Sequence, residues 1–91
     1  MHISFPSCNP EYCARDLVVS FPALVDEQPV QCAITAEALE DHYGARSLRE
    51  EDLIDSFNAH RFEIELAAHR MLNEVGGKSV LLHSGYIRYC T

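Results

Sequence analysis

Ninety-one residues give room for one domain and one hydrophobic core. Apolar residues make up 47% of the chain and charged residues 23%, the balance of an ordinary folded protein, which excludes disorder throughout. Fourteen acidic against seven basic side chains leave a net charge of −7, and the scattered arginines with a single lysine form no basic footprint, so neither nucleic acid nor an anionic membrane is an expected partner.

The opening stretch, Met1 to Asp16, has neither a basic leader nor a long apolar run. No segment approaches the ~20 apolar residues that cross a bilayer. The expected location is the cytoplasm, where Cys8, Cys13, Cys32 and Cys90 stand as reduced thiols. Cys8 and Cys13 are not spaced like the paired ligands of a zinc knuckle, and no second pair follows. No metal and no cofactor is expected.

In chain order, residues 2–5 read as a short strand ended by Pro6, and Ser7 to Arg15 as a loop. From Asp16 to Val25, alternation places Leu17, Val19, Phe21, Ala23 and Val25 on one face of a strand. Pro22 marks it as an edge or a bulge, because proline donates no ladder hydrogen bond. After a turn at Asp26-Glu27-Gln28, Val30, Cys32 and Ile34 alternate to complete a hairpin, with Cys32 facing the core. Thr35 caps a short helix that carries Ala36, Leu39 and Tyr43 on one stripe and stops at Gly44. Ser47-Leu-Arg-Glu50 has the capping-box spacing. It opens a long predicted helix from Leu48 to Glu74, with Leu53, Phe57, Ile64, Ala68, Met71 and Val75 on one stripe, and Phe62 with Leu66 on a flank. Gly76-Gly77 ends that helix. A strand to Leu82, a turn at His83 to Tyr86 and a strand from Ile87 to Cys90 follow. The expected fold is a single α+β domain, residues 1–91, with an antiparallel or mixed sheet of about four or five strands. One short and one long helix cover one face of it.

The run Val30-Gln-Cys-Ala-Ile-Thr-Ala-Glu-Ala-Leu-Glu-Asp-His-Tyr-Gly44 resembles the central signature of a family of short bacterial proteins known as a domain of unknown function. The start Ile3 to Pro6, the strand Val19 to Ala23, and Phe57, Arg61, Ile64 and Ala68 on the long helix are similar to further parts of its pattern. The resemblance implies a compact α+β fold and a bacterial origin, and brings with it no reaction, ligand or site residue.

Among single residues, Arg61 stands out because helical spacing puts its stem on the apolar stripe. A guanidinium there needs a partner. One reading is structural, a salt bridge to Glu65 or a carboxylate such as Asp16 with carbonyls completing the fork. The other is an anion site in a helix–sheet cleft. Cys32 could serve as a nucleophile only beside a base or with a lowered pKa, which a mid-strand core position does not offer. His60 with Glu63, and Glu65 with His69, are spaced to touch on a helix, but neither the H-E-x-x-H nor the Glu-x-x-His order of metal helices is present. The favoured expectation is a non-enzymatic protein-interaction or regulatory module, with protein as partner and a homodimer included. The alternative is a small-molecule, anion or metal-binding protein, or a minor enzyme, using Arg61 with histidines or cysteines.

Overall fold

The computed structural model describes residues 1–90, with side chains as far as Arg88. Cys90's thiol therefore lies outside the described residues. A hairpin organises the structure. Strand β3 (Val18–Val25) pairs antiparallel with β4 (Gln28–Thr35), joined by Asp26 and Glu27. Both turn residues take positive φ, 50° and 70°, as the tight hairpin turn whose twist matches the strands requires. His2 fastens this turn from the N-terminus, its amide donating to the Asp26 carboxylate at 2.8 Å.

On the other side of β3 lie two short strands in tandem, β1 (Ile3–Ser4) and β2 (Glu11–Cys13). The second falls inside the stretch expected to be loop. Pro22 sits between the positions that β1 and β2 occupy, opposite neither. A residue without an N–H thus takes the gap in an otherwise central strand, rather than a true edge. The fifth strand, β5 (Val80–Leu82), pairs parallel with β4, which makes the five-stranded sheet mixed.

Between β4 and β5 run α1 (Ala36–Tyr43), α2 (Glu50–Ala59) and α3 (Arg61–Val75). Thr35 accepts the Ala38 amide at 3.1 Å, and Gly44 ends α1 with φ 71°, the left-handed cap. The expected long helix is two helices, broken at His60. His60 has φ −120° and ψ 24°, and no proline or glycine announces the break. The ring of His60 lies 5.3 Å from that of Tyr43, and its Nδ1 is 2.9 Å from Glu63. The apolar stripe survives the bend: Leu53 and Phe57 of α2 are buried together with Ile64, Ala68 and Leu72 of α3. Ser47 is not the cap of α2. Its hydroxyl accepts the Arg49 amide and donates to Asp52 at 2.6 Å, while Arg49 takes the cap position without a side-chain bond.

Three further expectations are corrected. The C-terminal segment is a helix, α4 (Ser84–Cys90), where a strand was expected; Ile87 turns into the core and Tyr86 packs against it. Two helices packed on one face thus become four. Leu17 leaves the strand at φ 53° and is exposed, so the alternation that includes it fails one residue early. Val75, at the end of the stripe, is exposed as well. The core lies between the helices and the face of the sheet that carries Val19, Phe21, Ala23, Cys32, Ile34 and Leu82.

Candidate functional site

Arg61 opens α3 directly after the break, and the fold brings the N-terminal loop across it. Its Nε donates to Glu65 at 2.9 Å, one nitrogen of the fork to the Cys8 carbonyl at 2.7 Å, and the other to the Pro6 carbonyl at 3.2 Å. The guanidinium also lies 5.4 Å from the centre of the Phe57 ring, a favourable cation–π distance. Each of its three nitrogens already donates to the protein. Arg61 therefore ties residues 6–8 to the helical layer, with three of its five N–H groups given to the protein. The side chain is 24% exposed, so the tie is only half-buried. Asp16 takes no part; its carboxylate lies 3.5 Å from the Cys13 sulfur.

The second polar cluster was invisible in the sequence. Ser84 begins α4 and is buried beside the end of α1. Its hydroxyl donates to Asp41 at 2.8 Å, while His42 Nε2 lies 3.0 Å from the same oxygen and 3.1 Å from the Ser84 carbonyl. These are the residue types of a hydrolytic triad in a different order. A hydroxyl has one hydrogen, and here it goes to the carboxylate, so His42 must donate to the serine rather than accept from it. A nucleophilic serine needs its histidine as base. This arrangement is a lock between α1 and α4, and only the 43 positions that separate Asp41 from Ser84 hid it.

Cys32 lies wholly buried in β4, opposite Val80. Burial pushes its thiol up to about 11 from 9.0, away from the thiolate that attacks or binds metal. Cys8, Cys13 and Cys32 are all free thiols. His60 and His69 do not meet: His60 pairs with Glu63, whereas His69 bonds Asn73 and the Glu65 expected beside it turns to Arg61. Among the described residues, no three His, Cys, Asp or Glu side chains gather as a metal site, and no helix is long and apolar enough to cross a membrane.

Two recesses along the helical layer are open to solvent. One of about 560 Å³ lies beside the start of α2, along Arg49, Glu50, Ile54 and Asp55. A second, about 450 Å³, lies between the end of α1 and α2, with Tyr43, Arg46, Asp55 and His60 on its walls. The described apolar surface tells a different story. On α3, Phe62 is 71% exposed and Leu66 55% exposed, one turn apart, on the side away from Ile64, Ala68 and Leu72.

Three comparisons place these features among known proteins. No curated protein matches the chain. A crystal structure of a protein of unknown function from the DUF1488 family of Shewanella loihica PV-4 superimposes with a TM-score of 0.74 at 20% identity, covering 89% of this chain and 92% of that one. At that identity the likeness shows the fold. The model of the family described as protein of unknown function (DUF1488) matches residues 3–82, nearly the whole chain. This chain belongs to the DUF1488 family.

Proposed function

We propose that this chain is a non-enzymatic protein-interaction or regulatory module of the cytoplasm, and that the outward face of α3 is where its partner docks. The observation that carries the reading is the exposed pair Phe62 and Leu66. A small acidic domain gains solubility from every polar substitution at such positions, so two large apolar side chains stacked on one turn mark a surface meant to be covered. The engagement of all three Arg61 nitrogens by the protein and the inverted polarity of the Ser84 lock favour this reading over an anion site or a serine hydrolase.

The test is recovery of the tagged full chain from its host beside the double variant Phe62→Glu/Leu66→Glu. Both positions are exposed, so the variant should fold with a parent-like circular dichroism spectrum. The parent should retain a protein that the variant loses. Identical recoveries from the two would refute the reading.

A further inference from the structure

We infer that the molecule covering α3 is a second copy of this chain, packed antiparallel about a two-fold axis at Leu66; this rests on the reading of the α3 face given above. At about 100° per residue, Leu66 stands opposite the buried group Ile64, Ala68 and Met71, and so at the centre of the outward face. Phe62 and Asn73 lie within about 40° of it, one towards each end of the helix, a spacing of four and seven that a facing helix can follow.

The charges then select the direction. The first half of that face carries Glu63, and the second half His69 and Arg70. A parallel second copy would put Glu63 and Arg70 on opposite edges from their counterparts, across from Phe62 and His69, and would make no acid–base pair between them. An antiparallel one sets Glu63 across from Arg70 of the second copy and Phe62 across from its His69, each pair within one residue's rise, about 1.5 Å, along the axis. Leu66 meets Leu66. The two-fold makes each off-axis pair occur twice. The present partners of these groups, Glu63 with His60 at 2.9 Å and Arg70 with Glu74 at 3.6 Å, are exposed contacts that exchange at little cost. Each copy carries −7, so approach is favoured only where acid meets base around an apolar centre.

Sedimentation or light scattering of the purified full chain, kept reduced, reads the association directly. The parent should show a mass rising with concentration, up to about 100 μM, towards twice the 10.3 kDa chain, because a single helix face makes a small interface. Leu66→Glu should hold the mass at one chain at every concentration, with a circular dichroism spectrum like the parent's. Glu63→Arg should weaken the dimer about tenfold, and the charge exchange E63R/R70E should restore it, which a parallel pair would not allow. A parent that stays monomeric throughout, a Leu66→Glu protein that still dimerises, or a charge exchange no better than the single change would each overturn the proposal. A monomeric parent whose α3 face still captures a different host protein would overturn the self-pairing alone; a monomeric parent that captures nothing would overturn the interaction reading with it.

Discussion

The two ends of the chain are fastened to the same helical layer by opposite chemistry. At the N-terminal end one side chain, Arg61, reaches out to backbone carbonyls of residues 6 and 8. At the C-terminal end two side chains of α1, Asp41 and His42, converge on Ser84. The first tie asks nothing of the side chains in the loop, since any residue offers a carbonyl. The second needs three particular side chains at three positions. Arg61 also lies over an aromatic ring and remains a quarter exposed, whereas Ser84 is buried. One tie is a charged clamp on a loop, the other a neutral hydroxyl sealed under a helix start. The lesson is that a tie made to the backbone leaves no mark in the sequence it holds.

The largest expected effect comes from removing the floor of the first tie. Phe57 is fully buried, with its ring 5.0 Å from that of Phe21 and under the Arg61 guanidinium. Phe57→Ala should cost about 3–5 kcal/mol in urea denaturation, as cavity formation in a packed core does. Phe57→Leu should cost a fraction of that. A loss below about 1 kcal/mol for the alanine variant would mean the ring supports neither the core nor the clamp.

Next in size is a term that belongs to the core and to neither tie. The Cys32 thiol titrates at about 11 in the folded chain and at the ordinary 9.0 once unfolded. Above pH 9 the unfolded chain releases this proton first, so the folded state holds more protons and stability falls as pH rises. Two units correspond to about 2–3 kcal/mol, fully lost only above pH 11. Unfolding free energies of the parent and Cys32→Ala should therefore converge between pH 8.5 and 11. Parallel curves would show that the thiol ionises equally in both states.

Breaking the clamp itself should cost less. Because Arg61 is partly solvated, Arg61→Ala should lower stability by about 1–2 kcal/mol rather than the several kcal/mol of a buried ion pair. The loss should be local, with faster amide exchange at residues 7–9 and little change in α4. Arg61→Lys keeps the charge but not the fork and should fall between the two. Unchanged loop exchange in the alanine variant would remove the clamp from the account. The smallest effect is expected from the lock: Ser84→Ala should cost about 1 kcal/mol and loosen residues 85–88 without touching the N-terminal loop. If both variants loosened both ends alike, the ties would be one cooperative unit and the contrast between them would fall.

Where neighbours in the chain decide conformation, the sequence was legible. Alternation in β3 and β4 identified the hairpin and placed Cys32 inside; Thr35 and Gly44 bounded α1; helical spacing found the buried stripe from Leu53 to Ala68. Pro22 was half-read, because its cost is avoided by a gap between two other strands. The same spacing ran through His60 without a break, since periodicity carries no trace of the contact His60 makes with Tyr43 of another helix. Ile87 to Cys90 offered an apolar pattern too short to separate strand from helix, and packing of Ile87 and Tyr86 against the core settled it. Of the candidate residues, Arg61 was singled out correctly as a group in need of a partner, but its carbonyl partners lie more than fifty positions away.

The sequence by itself determined the secondary-structure periods, the hairpin, the caps of α1 and the family to which the chain belongs, because these depend on side-chain spacing and short-range hydrogen bonds. Only the tertiary structure decided which of two apolar faces of α3 is covered, which serine meets which histidine and in what order, and how Arg61 spends its donors. Those outcomes depend on groups brought together from distant positions, where burial and the single hydrogen of a hydroxyl set the result.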